Sequence, residues 1–283
     1  MKTVSVLIPC YNDGAYIKEA IASARAQTWP SMEIIVVDDG STDPETLRVL
    51  SELREQQRCA VVTQANKGPG AARNHAFQLA KGDYILPLDA DDRIDPTYVE
   101  KALSELEAHP DAGVCYCRAE LMGEGSGPWN LPDFSLGEML IDNVVFVTAL
   151  IRREVYAEVG GFDERLVKGI EDYDFFLSIL EHGWQIRQLP ETLFFYRIKG
   201  DSRSRALSED DALRGQLYQQ ILDKHRDFFA AHLDQMLLTA REKSLLYQSE
   251  RFETQYLTRV IKDKSPKGFA RLFLMRYLGK PSR

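Results

Sequence analysis

The chain has 283 residues, 44% of them hydrophobic and 28% charged, enough for one sizeable core with an appended subdomain. Its formal net charge of -8 argues against general nucleic-acid binding. No apolar run approaches the roughly 20 residues that span a bilayer. The apolar stretch at Met1–Pro9 is too short for a signal peptide and is interrupted by Pro9 and Asn12. It reads as a first core strand, in a protein expected to stay in the cytoplasm. Cys10, Cys59, Cys115 and Cys117 form no CxxC pair and no Cys/His cluster, so buried free thiols are expected.

Short β-branched runs follow at Val4–Pro9, Glu33–Val37, Ala60–Thr63 and Tyr84–Leu88. Helical stretches lie between them near Tyr16–Ala26, Glu45–Gln56 and Gly70–Leu79. This alternation predicts right-handed βαβ units and an α/β fold with a mostly parallel central sheet. Asp43-Pro44 and Asp95-Pro96 each read as an N-cap followed by a first-turn proline. From Ala112 to Arg197 strands mix with irregular chain, and the glycines and prolines of Glu120–Phe134 predict a long loop. Beyond Leu207 apolar spacing predicts amphipathic helices. The expected organisation is a domain over 1–205, with halves at 1–111 and 112–205, and a helical region over 206–283.

In open parallel sheets ligands bind beyond the carboxyl ends of the strands. The polar residues concentrate there: Pro9-Cys10-Tyr11-Asn12, Asp38-Asp39-Gly40-Ser41-Thr42-Asp43 and Asp89-Ala90-Asp91-Asp92. Aspartates gathered at neighbouring strand ends repel one another without a cation. Asp89-x-Asp91 is the sharpest signal, because Mg²⁺ takes one or two carboxylates together with substrate phosphates. Asn66–Asn74 is a glycine-bearing helix start whose Lys67, Arg73 and N–H groups suit an anionic ligand. Asp172 shares the apolar, inward face of a helix with Phe175, Phe176 and Ile179, while Glu171, Asp174 and Ser178 fall on another face. An inward carboxylate suits a general base, whereas Glu171 suits the dipole of the helix start. The five histidines make no metal or triad spacing. Trp129, in the long loop, is the tryptophan placed to meet a ligand.

In this order, Val4–Asn12, Val36–Asp43, Asn66-x-Gly68-x-x-x-Ala72-Arg73-Asn74, Gly82–Asp92, Gly160–Glu164, Glu171-Asp172 and Tyr196-Arg197 resemble the family-two glycosyltransferases with the GT-A fold. The resemblance runs from Val4 to about Ser202. It implies a Rossmann-like GT-A domain with a C-terminal helical extension. It also implies transfer of a sugar from a nucleotide-diphosphate-sugar, most often a UDP-sugar, to the hydroxyl of a glycan or lipid-linked glycan. It assigns Pro9 and Tyr11 to the base pocket, with Asn12 beside them, and Asp39 to the nucleobase. Asp89 falls to the ribose or metal region, Asp91 to Mn²⁺ or Mg²⁺ on the diphosphate, and Asp172 to the catalytic base. Family members mostly invert the anomeric centre. The QxxRW signature of processive synthases is missing from the sequence.

Where many relatives read Tyr-Arg-x-His-x-x-Ser, this chain has Tyr196-Arg197-Ile198-Lys199-Gly200-Asp201-Ser202. A protonated lysine cannot ligate a metal, so the third ligand is open. Lys199 and the arginines of Gly200–Arg205 are expected to order over bound donor and meet its diphosphate. Over 262–283, seven basic residues against Asp263, interleaved with Phe269, Leu272, Phe273 and Met275, predict attachment to an anionic membrane surface. Such attachment would sit on the inner face of the cytoplasmic membrane. Two other functions fit a sheet of this kind: a nucleotidyltransferase that forms sugar nucleotides, and a non-catalytic sugar-nucleotide-binding module. The first normally carries a Gly-rich basic loop after strand one, where this chain has Tyr11-Asn12-Asp13-Gly14.

Overall fold

The run Val4–Cys10 forms β1, buried at every residue, as expected of a central strand covered on both faces. The computed structural model describes residues 1–57, 59–200, 207 and 210–247. β1 is followed by α1 (Ile17–Arg25), β2 (Met32–Asp38), α2 (Pro44–Glu55), β3 (Ala60–Thr63), α3 (Pro69–Leu79) and β4 (Tyr84–Pro87). α1 buries Ile17, Ala20, Ile21 and Ala24, the i, i+3, i+4, i+7 stripe of a helix lying on a sheet. β1 pairs in parallel with β2 and β4, and β2 with β3. The expected βαβ half is therefore present.

The second half departs from parallel order. β5 (Arg93–Ile94), α4 (Tyr98–Ala108), β6 (Ala112–Gly123), β7 (Gly127–Trp129), α5 (Leu136–Ile141), β8 (Leu150–Arg152), α6 (Arg153–Glu158), α7 (Glu171–Glu181) and β9 (Gln185–Ile198) follow. The sheet order is β3-β2-β1-β4-β8-β6-β9-β5, with β7 on β6. β8 is antiparallel to both β4 and β6, whereas β9 runs parallel to β6. The result is a mixed α/β sheet flanked by helices, as the expected fold class requires.

Two local expectations are corrected. Glu120–Phe134 is not a plain loop: β6 continues to Gly123, and β7 folds back antiparallel on it, Ala119 opposite Trp129. Its glycines are the turn that permits this reversal, Gly123 and Gly127 both lying at positive φ. Asp95 is not the N-cap of α4, which starts at Tyr98 after Thr97. Asp95 instead accepts from the N–H and hydroxyl of Thr97, a local turn that competes with capping. Asp43 does cap α2, accepting from Thr46 N.

The chain divides into two compact units, Met1–Ala231 and His232–Arg283. The first ends with α8 (Asp211–Lys224) and α9 (Arg226–Ala231). In the second, residues 233–247 are helical. The expected boundary at 205/206, the segment Asp201–Arg205 and the basic tail 262–283 lie outside the described residues. Among those described, no helix is long and apolar enough to cross a membrane.

Candidate active site

The carboxyl ends of β1, β2 and β4 open into a cleft of about 500 Å³. Pro9, Tyr11, Asn12, Asp13, Asp39, Asn66, Gly68, Arg73, Asp89, Asp91, Tyr196 and Lys199 all line it. At the end of β1 the chain turns at Asn12, whose φ of 58 is left-handed. The Asn12 side-chain oxygen accepts from Thr42 N and Asp43 N, at 2.8 and 2.9 Å, tying the β1 end to the loop after β2. Tyr11 is left 46% exposed on the cleft wall.

At the end of β2, Asp39 is buried and accepts from the N–H groups of Lys67 and Gly68, at 2.9 and 2.8 Å, and from Gln64. Gly68, at φ 90, is the N-cap residue of α3, a conformation that an L side chain strains to adopt. The N–H groups of Lys67 and Gly68, just ahead of the first helical residue Pro69, thus hold a carboxylate of the chain. The Lys67 side chain is exposed and does not line the cleft.

Arg73 lies on the buried face of α3 and is 1% exposed. Its guanidinium donates to Asp89 at 2.6 Å and to Glu171 at 3.0 Å, and stands 5.2 Å from the Phe162 ring centre. Burial works against that charge, but Asp89 and Glu171 outweigh it and hold the group firmly protonated. Arg73 therefore joins the β4 end to the start of α7. Glu171, expected to complement a helix dipole, is buried in this bridge. Asn74, the next residue, fixes the approach to α7: its oxygen accepts from Phe162 N at 2.9 Å and its amide donates to Phe162 O at 2.9 Å. Gly161, at φ 77, has no room for a Cβ, which would stand 2.5 Å from that oxygen.

Asp91 faces Lys199, whose ammonium stands 2.7 Å from Asp91 Oδ2 and 2.6 Å from Asp13 Oδ1. Burial and the neighbouring Asp89 push the Asp91 carboxyl above its ordinary range, while Lys199 pulls it back. Asp92 points away: it is 1% exposed and accepts from Arg197 N at 2.8 Å. Desolvation and the charges of Asp91 and Asp89 push it well above the usual carboxylate range. Separate partners, Lys199 for Asp91 and Arg197 N–H for Asp92, offset part of the repulsion among these aspartates.

A second cavity of about 230 Å³ adjoins the cleft, with Arg73, Asp89 and Tyr196 common to both. Asp172 lines it, together with Trp129, Phe146, Phe194 and Lys168. Trp129 stacks on Tyr196 at 4.6 Å, so the β7 hairpin supplies an aromatic wall across from α7. Asp172 is half-buried at the second position of α7, entered through Ile170 at φ 58. A β-branched residue there is strained, and the strain sits beside the candidate base. The expectation that Asp172 takes the inward face, with Glu171 and Asp174 on another, is corrected: Glu171 and Asp174 are both buried, whereas Asp172 is half-buried.

Asp13 was not among the expected site residues, although it follows the end of β1 within three residues, in the same strand-end position as the loop after β2. The same strand-end criterion would have found it. Among the described residues no three His, Cys, Asp or Glu side chains gather as a metal site.

Residues 5–160 match the model of glycosyl transferase family 2. The chain is 34% identical over 185 residues to the chondroitin synthase of Escherichia coli, covering 64% of this chain and 27% of that protein. It is 32% identical over 206 residues to the hyaluronan synthase of Pasteurella multocida, covering 71% and 21%. The chain thus spans about a quarter or less of the length of these relatives. Among solved structures, S. aureus TarS 1-349 in complex with UDP-GlcNAc aligns with a TM-score of 0.61 at 25% identity, over 72% of this chain and 61% of that one. With more than half of its length under the family model, the chain belongs to glycosyl transferase family 2.

Proposed function

We propose that the protein transfers a sugar from a nucleoside-diphosphate sugar, most often a UDP-sugar in this family, to a hydroxyl of a glycan acceptor, with inversion at the anomeric carbon. The observation that carries this reading is the pair of adjoining cavities. One is walled by strand-end residues suited to a nucleotide, the other by Asp172 and aromatic rings, and Arg73 and Asp89 stand between them. Pro9, Tyr11 and Asn12 suit the base end of the donor, and Asp39, with lone pairs remaining after three hydrogen bonds, suits the base or ribose. The likeness to chondroitin and hyaluronan synthases and to UDP-GlcNAc-bound TarS supports a sugar-nucleotide donor and a polysaccharide product. The half-buried aromatic wall that Trp129 and Tyr196 form in this cavity suits the C–H groups of an acceptor pyranose.

Asp172 receives the acceptor hydroxyl proton as the oxygen attacks the anomeric carbon, and the bond to the diphosphate breaks on the opposite side. A divalent cation, Mn²⁺ or Mg²⁺, would be held by Asp91 with Asp89 beside it. The donor set fits an ion shared with substrate phosphates, which needs one or two protein carboxylates. Bound there, it supplies positive charge to the leaving diphosphate.

The test is Asp172→Asn assayed with a panel of UDP- and GDP-sugars and oligosaccharide acceptors. An amide cannot take the proton, so turnover should fall at least about 10²-fold while donor binding by calorimetry stays unchanged. Full turnover in this variant would remove Asp172 as the base.

A further inference from the structure

The cation that faces Asp91 belongs to the chain itself. β9 ends at Ile198, and the next residue turns its side chain over the end of β1. The Lys199 ammonium contacts Asp91 at 2.7 Å and Asp13 at 2.6 Å and stands 5.3 Å from the Tyr16 ring centre. All three charged side chains are mostly buried, at 18%, 18% and 23% exposure, so solvent screening of the triplet is reduced. The triplet lies on the wall of the larger cleft, together with Tyr11, Asp39 and Asp89. An ammonium and a divalent cation compete for a carboxylate oxygen, and the oxygen in question here is Asp91 Oδ2.

We propose that Lys199 is a resident counter-ion of the diphosphate subsite. It holds Asp13 and Asp91 together when no donor is bound, opposes metal binding at Asp91 in that state, and provides the diphosphate with positive charge that requires no metal. This rests on the sugar-nucleotide reading above. Without nucleotide, a divalent cation must share Asp91 with the ammonium, so its affinity is low. With nucleotide, the phosphates offer the ammonium new acceptors, and part of nucleotide binding survives chelation of the metal. An ammonium has three N–H donors, enough to keep Asp13 while meeting a phosphate oxygen.

The full chain is compared with Lys199→Met and Lys199→Gln. UDP, GDP, ADP and CDP are first titrated calorimetrically with Mn²⁺ into the wild type, and the tightest is carried forward. Mn²⁺ affinity without nucleotide is then read from the free-ion electron paramagnetic resonance signal. Affinity for the chosen diphosphate, and for its nucleoside, is read in EDTA. Loss of one charged hydrogen bond predicts at least about tenfold weaker diphosphate binding in EDTA, with the nucleoside unaffected. Removal of the competing ammonium predicts at least about tenfold tighter Mn²⁺ binding by the free protein. Lys199→Gln keeps N–H donors beside the aspartates without the charge and serves if Lys199→Met lacks a cooperative thermal transition. Wild-type affinities in both measurements overturn the counter-ion role and leave the donor reading standing. Failure of the wild type to bind any diphosphate with Mn²⁺ overturns the donor reading, and this proposal with it.

Discussion

Arg73 combines two properties that rarely coexist, complete burial and a permanent charge. It is tolerated because Asp89 and Glu171 meet it on two guanidinium nitrogens. Removing one partner of such a buried arrangement leaves charge uncompensated, which costs about 3–5 kcal/mol. Arg73→Met is therefore expected to lower the denaturant unfolding free energy by an amount in that range. Adding Glu171→Gln should recover part of the loss, since it removes one stranded carboxylate. A change below about 1 kcal/mol would place the bridge among the weak surface pairs. The sequence singled out Arg73 and Asp89, but as members of separate motifs. That they touch each other depends on the packing of α3 beside the β4 end, and their separation of 16 positions does not reveal it.

At the scale of elements, α7 is held from behind by α8. His225, 1% exposed, contacts Asp174 at 3.0 Å through Nε2 and Glu181 at 2.9 Å through Nδ1. Lys224 meets Asp174 at 2.7 Å and Asp163 at 3.3 Å, and Asp163 also pairs with Arg165. Burial lowers the imidazole pKa, but the bonds to Asp174 and Glu181 outweigh it and raise it above 6.5. The charged form is thus favoured in the folded state. Its contribution is fully present below the unfolded value near 6.5 and fades as pH rises through the higher folded value. Wild type is expected to exceed His225→Gln in melting temperature by a margin that is largest at acidic pH and shrinks above neutrality. A margin independent of pH would mean that His225 acts through shape alone. The five histidines read in the sequence as structural or exposed, and a buried His225 fits the first of these, but its partners on α7 were not legible. The hairpin of β6 and β7 was likewise hidden, since its glycines signal a turn equally well inside a loop.

For the whole molecule, the sequence adds a feature outside the described residues, the basic and apolar alternation over 262–283. Each basic residue near an anionic surface contributes about 1 kcal/mol. Full-length protein is therefore expected to co-sediment with liposomes containing phosphatidylserine, and protein truncated after residue 261 should not. Equal pelleting of the two would remove the membrane role. High salt should release the full-length protein, because the attraction is screened within about 10 Å at 0.1 M.

The sequence by itself determined the nucleotide half of the fold. β-branched runs, buried on both faces in all but the edge strand β3, and amphipathic helices between them carry their own periodicity, so β1 to β4 and α1 to α3 lie within two residues of their expected bounds. Strand-end aspartates were legible for the same reason, since a parallel sheet sends its carboxyl ends to one side. The tertiary structure alone decided the antiparallel placement of β8, the hairpin that brings Trp129 against Tyr196, and the partner of each carboxylate. Those are contacts between residues far apart in the chain, set by how layers pack. Lys199 meeting Asp13 and Asp91, across 186 and 108 positions, is such a contact, and no local pattern encodes it.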